Sequence, residues 1–351
     1  MLGSRWSRRR KWTTATAVVA VFVVLAIAIP VVIGVLLWNR IERVPVHLAG
    51  STPEGTTYLV VGSDSRSGTM SAADRASFGE VGQAPGQHAD LVLLLRVPDD
   101  GSPARIMAVP RDLLVVASSA GGLGRLGPTL NDGPQALVNS LCRTLGVGVD
   151  HLMTVRFLSF ADLVDAVGGV DVTLPHPERD TVLNFRVAAG THHLDGRLAL
   201  TYVRVRHLEV LRAGRWRSDA GAALGRGTRA QDVLTQVAAD APSPFSDPFG
   251  SLRFAWKATD AVSVDDSTSV SDARGMYDAL HDLGGAQRLT LPVALHDGQV
   301  PLAQLQPAAI PVVRSFQGFA THGPCADPQM PMADGTVRHP ARAPVPGARN
   351  T

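Results

Sequence analysis

The amino-terminal part of the chain carries one long hydrophobic segment. From Thr13 to Trp38 no residue is charged, and most are Ala, Val, Ile or Leu. A helix needs about 20 predominantly apolar residues to cross a bilayer. The pattern therefore predicts a cytoplasmic end over residues 1–14, a transmembrane helix over 15–38 and a stalk over 39–55.

The charges around this segment predict its orientation. Five basic residues precede it, and the first acidic residue of the chain is Glu42. Because basic flanks remain in the cytoplasm, we expect a single-pass protein of the cell membrane whose carboxyl-terminal domain lies outside. A cleaved signal peptide is the alternative. An uncleaved anchor is favoured because Leu36-Leu37-Trp38 stands where a small-residue cleavage site would be.

Downstream, the hydrophobic pattern predicts strands that alternate with helices. A β-rich run at 57–61 is followed by two apolar runs that flank an Asp-Gly turn and predict a hairpin, at 89–97 and 104–109. Their unbroken hydrophobicity predicts a sheet covered on both faces. Further strands are predicted at 153–157, 170–174 and 288–292, and helices at 134–145, 160–167, 194–206, 227–239 and 272–283.

This alternation is typical of an α/β fold, a layered α/β/α domain with a central mixed sheet, which we predict over residues 56–318. An arginine- and glycine-rich loop separates the helices at 194–206 and 227–239. Residues 319–351 are rich in Pro, Ala and Gly, and we predict a disordered tail there.

Composition and charge narrow the class of protein. Hydrophobic residues make up 45% of the chain and charged residues 18%, which allows a buried core. Of the 33 basic residues, five precede the anchor, which leaves 28 against 31 acidic residues. The folded part therefore lacks the excess positive charge of a general nucleic-acid binder, and no nucleic-acid partner is expected. A cytoplasmic end of about a dozen residues is also too short for a DNA-binding fold.

The two cysteines, Cys142 and Cys325, would lie in a compartment that permits disulfides. A disulfide between them is one interpretation. A buried thiol and a thiol in the tail is the other, and the sequence leaves both open.

The densest chemical feature is a cluster of seven arginines within 26 residues. Guanidinium groups match phosphate oxygens bidentately, so an extracytoplasmic cluster of this kind indicates a phosphate or pyrophosphate ligand. A solvated arginine-rich loop is the alternative. The members are Arg204, Arg206, Arg212, Arg215, Arg217, Arg226 and Arg229.

Polar residues also follow or open the predicted strands. Asp64 comes after the first strand, Asp90 opens the next one, and Arg111 follows the third. Residues at strand ends converge on one edge of an α/β sheet, where two carboxylates suit Mg²⁺ or Mn²⁺. Metal and arginine together are the usual apparatus of phosphoryl transfer. For each Asp alone, a turn-former is the favoured interpretation, and for Asp64 taken together with Asp90 and Arg111 both interpretations stay open. The sequence contains no Walker A loop and no Gly-x-Ser-x-Gly elbow.

The order of the motifs resembles the LytR-CpsA-Psr family of bacterial cell-envelope proteins, over roughly residues 54–320. The Phe157–Val172 and Gly190–Arg206 segments are specific when they occur together. The remaining motifs are Tyr58-Leu-Val-Val-Gly-Ser-Asp-Ser-Arg66, Ala89-Asp-Leu-Val-Leu-Leu94, Ile106-Met-Ala-Val-Pro-Arg-Asp112 and Gly225-Arg-Gly-Thr-Arg-Ala-Gln231.

The resemblance implies a function. Members transfer a glycopolymer from a polyprenyl-pyrophosphate carrier to a cell-wall acceptor such as peptidoglycan, with a divalent metal. The expected enzyme is thus a membrane-anchored glycopolymer–peptidoglycan phosphotransferase that uses Mg²⁺ or Mn²⁺. Its expected partners are a polyprenyl-linked glycan, peptidoglycan and the membrane.

By position, the resemblance also implies residue roles. Asp64 and Asp90 match the metal carboxylates, and with Arg111 they form the expected catalytic set, in which Asp64 would help to deprotonate the acceptor hydroxyl. The expected pyrophosphate-binding residues are Arg111, Arg204, Arg206, Arg226, Arg229, Gln231 and His88.

An apolar helix is a candidate lining for the lipid tail. Phe160, Leu163, Val164 and Val167 would face the slot. The alternative is ordinary core packing at helical spacing, which we favour.

Thr201 stands where many members of the family have asparagine. Three further positions depart from the family pattern: His88 replaces an arginine, Ala223 an aspartate and Ala230 a glutamine. These departures motivate a second hypothesis, in which the protein is a non-catalytic polyprenyl-phosphate-binding envelope protein that regulates or scaffolds wall assembly.

Overall fold

The structure, a computed structural model, describes most of the chain between residues 4 and 340. For some helical residues, Arg226 among them, it describes only the backbone. The described ranges are 4–50, 52, 54–63, 87–117, 122–205, 207–219, 222–242, 246–281, 285–296, 302–320 and 323–340.

Strands and helices alternate along the chain. The strands are β1 (Glu42–Val44), β2 (Gly55–Ser63), β3 (Ala89–Pro98), β4 (Arg105–Ala108), β5 (Leu114–Val116), β6 (Leu123–Arg125), β7 (His151–Arg156), β8 (Val170–Leu174), β9 (Glu178–Asp180), β10 (Phe185–Val187), β11 (Gly190–Leu194), β12 (Glu209–Arg212), β13 (Arg215–Ser218), β14 (Val262–Asp265), β15 (Gln287–Thr290), β16 (Val293–His296), β17 (Leu302–Leu305), β18 (Met330–Pro331) and β19 (Val337–Arg338). The helices are α1 (Ser4–Arg40), α2 (Pro134–Leu145), α3 (Phe157–Ala166), α4 (Gly196–Arg204), α5 (Ala222–Ala239), α6 (Pro248–Ala261), α7 (Val270–His281) and α8 (Ala309–Gln317), with a 3-10 helix at Gly127–Asp132.

Seven strands form a central mixed sheet in the order β1-β14-β7-β2-β3-β4-β15. The β3–β4 hairpin is antiparallel, as its Asp-Gly turn predicts, whereas β2 and β7 run parallel. The predicted α/β fold with a mixed sheet is confirmed.

Alternate residues of the central strands enter different cores, because successive side chains of a strand point to opposite faces. Leu59 and Leu94 belong to one apolar cluster, which α2 and α8 cover. Val60 and Leu93 belong to a second cluster on the other face, covered by α3, α4 and α5. The predicted burial of both faces is therefore confirmed.

The predicted arginine- and glycine-rich loop contains a hairpin. Strands β12 and β13 pair there, and with β9 and β10 they form a four-stranded sheet. Each of these strands has only three or four residues, and most of their residues taken together are polar. Hydrophobic periodicity gives no signal over so short a length.

Helix α1 confirms the predicted amino-terminal helix. Its part Ala17–Arg40 is long and apolar enough to cross a membrane, and an 18-residue window within it has a mean hydropathy of 3.2. At about 1.5 Å per residue, Ala17–Arg40 is roughly 36 Å long.

The predicted stalk over 39–55 differs from the structure, because strand β1 begins directly after Ile41 and pairs with β14. The rest of the segment is also attached to the sheet. Arg96, only 2% exposed, donates hydrogen bonds to the carbonyl oxygens of Thr52 and Gly55 at 3.0 and 2.9 Å. Part of the predicted stalk is thus an edge strand of the central sheet.

The predicted disordered tail also differs from the structure over 323–340. Cys325 forms a disulfide with Cys142 of α2, and Met330 and Met332 are buried in the first core cluster. A few apolar side chains and one crosslink hold the segment against the domain. The overall Pro- and Gly-rich composition of the segment reveals neither of these features. Residues 341–351 lie outside the described residues.

The disulfide should contribute measurably to stability. It joins positions 183 residues apart, so its loss frees a long loop in the unfolded chain. We expect Cys142→Ser/Cys325→Ser to lower the free energy of unfolding by about 2–4 kcal/mol in denaturant titrations. A reductant should destabilise the wild type but leave the double variant unchanged. Equal stability of the two proteins would contradict the prediction.

Candidate functional site

The ends of several central strands meet at one edge of the sheet. Ser63, at the end of β2, pairs with Arg156 at the end of β7 and with Ala89 at the start of β3. Between Gly62 and Ser63 the register skips Asp90, which places this residue at a β-bulge. Bulges often re-aim a side chain beside a functional site. The expected convergence of strand ends is therefore present.

An apolar cavity of about 70 Å³ lies at this edge, beside α3, α4 and α5. Seven of its lining residues are hydrophobic and three are charged. The lining residues are Gly62, Ser63, Asp90, Leu91, Val155, Arg156, Phe160, Leu200, Val203, Arg204, Ala230 and Leu234.

Two charged groups are paired at the cavity wall. The Arg111 guanidinium forms an ion pair with Asp90, and both side chains are largely buried. Arg111 also lies 3.5 Å from Asp112, measured from Nε to Oδ1, and Asp112 in turn contacts Arg125. The turn after β4 thus carries Arg111 to the bulge that holds Asp90.

Helix α4 positions Arg204. Asp195 caps the helix by accepting a hydrogen bond from the Leu198 amide at 2.8 Å. At Gly196 the helix approaches α3 so closely that a Cβ atom would lie 2.0 Å from the Ala161 carbonyl oxygen. One face of α4 then presents Leu200, Val203 and Arg204 to the cavity.

Small residues shape the cavity wall. A Cβ atom at Gly62 would lie 2.9 Å from Cβ of Leu91, so a larger residue would displace the opposite wall. Ala230 lines the cavity at a position where the resemblance leads one to expect glutamine. This departure makes the wall more apolar.

Arg229 lies below α4 and is not among the cavity-lining residues that the structure describes. It is 8% exposed, and its Nη2 donates a hydrogen bond to the Val205 carbonyl oxygen at 2.8 Å. Burial lowers the pKa of Arg229 and raises the pKa of Glu178, a shift that the nearby Arg229 charge partly offsets. Burial also raises the pKa of Tyr202 to about 12. Tyr202 therefore stays a neutral phenol at physiological pH.

The other predicted polar residues are distributed as follows. His88 is half-buried two positions before Asp90, and Gln231 is buried in α5; neither is among the described lining residues. Arg226 belongs to the backbone of α5, and its side chain is not described. Asp64 and Arg206 lie outside the described residues.

The apolar helix divides between cavity and core. Phe160 lines the cavity. Leu163 and Val164 are buried in the second core cluster, and Val167 packs against that cluster. Phe160 is also a member of the second core cluster, so core packing, the alternative that helical spacing favours, describes all four predicted lipid-lining residues.

Sequence reasoning missed Arg156. This residue ends β7, lines the cavity and donates a hydrogen bond to the main-chain carbonyl oxygen of Asp260. The signal was available, because an arginine at a strand end stands directly before the Phe157 motif.

The cavity offers one described carboxylate of the predicted metal pair. Asp90 supplies a hard oxygen donor, and Mg²⁺ is commonly held by one or two carboxylates together with substrate phosphates. The chemistry of this donor suits such an ion. No group of three or more His, Cys, Asp or Glu side chains is placed to hold a metal among the described residues, which do not include Asp64.

Similar sequences come from cell-envelope proteins. LcpB of Corynebacterium glutamicum, named as a probable cell wall biosynthesis protein, is 29% identical over 278 residues. The alignment covers 77% of this chain but only 63% of LcpB. TagT of Bacillus subtilis, named as a polyisoprenyl-teichoic acid–peptidoglycan teichoic acid transferase, is 26% identical over 185 residues, which are 51% of this chain and 50% of TagT.

Solved structures share the fold. A LytR-Csp2A-Psr enzyme from Actinomyces oris matches 81% of this chain and 97% of its own, with 27% identity and a TM-score of 0.64. TagT with bound octaprenyl pyrophosphate lipid matches 78% of this chain and 98% of its own, with 19% identity and a TM-score of 0.53. The model of the LytR_cpsA_psr family matches residues 39–246. The chain therefore belongs to the LytR-CpsA-Psr family, as its motif order indicates.

Proposed function

We propose that the protein transfers a glycopolymer from a polyprenyl-pyrophosphate carrier to a cell-wall acceptor such as peptidoglycan. The observation that carries the proposal is the combination of apolar walls with Asp90, Arg156 and Arg204 in one cavity. A polyprenyl pyrophosphate likewise combines an apolar chain with a charged head group. The names of TagT and its bound lipid support the same class of ligand.

The charged side chains suit the proposed transfer. An acceptor hydroxyl would attack the sugar-bound phosphorus, forming a phosphodiester while the pyrophosphate P–O bond breaks and polyprenyl phosphate leaves. Arg111 and Arg204 would stabilise the negative charge that develops on the leaving phosphate. Asp64 remains our candidate for accepting the hydroxyl proton, and Asp90 with Asp64 would hold a divalent cation. When bound, Mg²⁺ or Mn²⁺ would add further neutralisation of the phosphate oxygens.

The anchor supports the location of the reaction. Strand β1 runs parallel to β14, whose first residue pairs with Val155 of the cavity wall. Helix α1 therefore joins the domain at the edge that carries the cavity. We propose that α1 crosses the cell membrane with the domain outside, so that the cavity lies beside the bilayer that holds the lipid carrier.

Loss of either arginine should reduce turnover. We expect Arg111→Ala and Arg204→Ala each to slow the release of polyprenyl phosphate about 100-fold or more, because charge stabilisation of the transition state is lost. The assay uses the full chain with polyprenyl-pyrophosphate glycan, peptidoglycan and Mg²⁺. Arg288→Ala, which removes an exposed ion pair with Asp232, should keep the wild-type rate.

Two outcomes would count against this enzyme. Wild-type rates in both arginine variants would overturn the site assignment. Tight binding of the carrier without turnover by the wild-type chain, despite metal and acceptor, would instead favour the regulatory or scaffolding protein that His88, Ala223 and Ala230 motivate.

We further propose that Arg229 positions Arg204 in place of binding pyrophosphate itself. Its guanidinium holds the Val205 carbonyl oxygen, directly after Arg204, and lies 5.7 Å from the Tyr202 ring centre. The contacts fasten the end of α4 to α5.

This role predicts a loss of stability. Arg229→Met removes a buried charge-assisted hydrogen bond, so we expect the free energy of unfolding to fall by about 1–3 kcal/mol. Arg288→Met, at an exposed pair, should cost no more than about 1 kcal/mol. Denaturant titrations measure both. Normal stability of Arg229→Met combined with loss of carrier binding would identify Arg229 as a ligand contact.

A further inference from the structure

One face of α6 exposes large hydrophobic side chains. Phe249 is 84% exposed, Trp256 is 49% exposed and Leu252 is 38% exposed. Their spacing of three and four residues places them on one side of the helix. Contiguous apolar patches of this kind mark interaction surfaces.

The opposite face of α6 packs against the second core cluster of the domain. Phe254 and Ala258 pack against the second core cluster, and Ala261 is buried within it. A helix with one face in a core normally presents polar residues on the other. The outward apolar face of α6 therefore needs a second apolar environment.

Helix α1 lies beside this face. Ile33, Leu36 and Leu37 line an open apolar groove together with Phe249, Leu252 and Trp256. Arg40 fastens the two helices, because its guanidinium lies 4.0 Å from the Trp256 ring centre and its Nη2 donates hydrogen bonds to the two Asp260 carboxylate oxygens at 2.6 and 2.8 Å.

The positions of the groove-lining residues along α1 indicate how deep the exposed apolar face of α6 would lie relative to a membrane that α1 crosses. Ile33, Leu36 and Leu37 belong to the segment Ala17–Arg40 that is long enough to span a membrane. They lie about 5–10 Å below Arg40 along the helix axis, at 1.5 Å per residue. An amphipathic helix at a membrane surface buries its apolar face to about the same depth, 5–10 Å. Arg253 and Lys257 also line the groove and suit anionic headgroups.

We propose that α6 is a membrane-surface helix whose Phe249, Leu252 and Trp256 insert into the leaflet next to the domain. The inference rests on the proposed membrane crossing of α1 and goes beyond the proposed transfer reaction. It connects the bilayer to the cavity, because α6 packs on α3, whose Phe160 lines the cavity. A lipid carrier in this leaflet would lie one helix away from its binding site.

Fluorescence quenching can test the insertion directly. The two native cysteines form the disulfide, so a bimane label can be attached to Phe249→Cys or Leu252→Cys in the full chain. The chain is placed in nanodiscs of phosphatidylglycerol and phosphatidylethanolamine. Bromine atoms on the acyl chains should quench both labels at least about twofold more than a label facing water, and dissolved iodide should quench them less.

Val270→Cys is the matched control. Val270 is a hydrophobic residue that is 60% exposed. It is the first residue of α7, which follows the end of β14 that lies farther from the cavity. Its label should be quenched by iodide and not by brominated lipid. Melting temperatures of the labelled variants establish that each is folded.

Two results would overturn the proposal. Labels at 249 and 252 that behave like the label at 270 would place the face of α6 in water. Labels shielded from both quenchers would mean that protein, such as a second copy of the chain, covers the face. Neither readout depends on turnover, so a failure of the transfer hypothesis would leave this measurement interpretable.

Discussion

The burial of both faces of the central sheet determines where polar chemistry can lie in this protein. Leu59 and Leu94 are fully buried on one side, and Val60 and Leu93 are nearly so on the other. A charged side chain in either core carries a large desolvation cost unless hydrogen bonds compensate it, as they do for Arg96. The charged groups beside the cavity are accordingly at the edge where β2 and β7 end and β3 begins. The apolar cavity is a continuation of the second core into that edge.

The family motifs correspond to local physical requirements around this edge. Asp195 caps α4, and Gly196 permits the close approach to α3 that brings Arg204 to the cavity. Asp165 of α3 accepts a hydrogen bond from the Gly196 amide at 2.7 Å, which ties the two motif segments together. This mutual dependence explains why the two segments are informative as a pair.

Sequence reasoning succeeds where the signal is local. Helix α2 begins at Pro134 and ends before Gly146, which has a left-handed φ of 68°, and both boundaries follow from residue preferences. Convergence of Asp90 and Arg111 follows from their places at strand ends. Periodicity cannot distinguish a cavity wall from a core: Phe160 and Val164 have the same signal and share the second core cluster, but only Phe160 also lines the cavity. The disulfide and the proposed positioning role of Arg229 depend on contacts between distant segments, which no local pattern encodes.

The single residue Ile41 between α1 and β1 has a mechanical consequence. A long flexible linker would let a tethered domain sample heights far above the bilayer, over a distance that grows with linker length. Here the strand that follows α1 is itself part of the sheet, so under the proposed membrane crossing the cavity would keep a nearly constant height. Under the proposed transfer, a wall polymer would have to approach the membrane surface, because the domain could not extend outward to meet it.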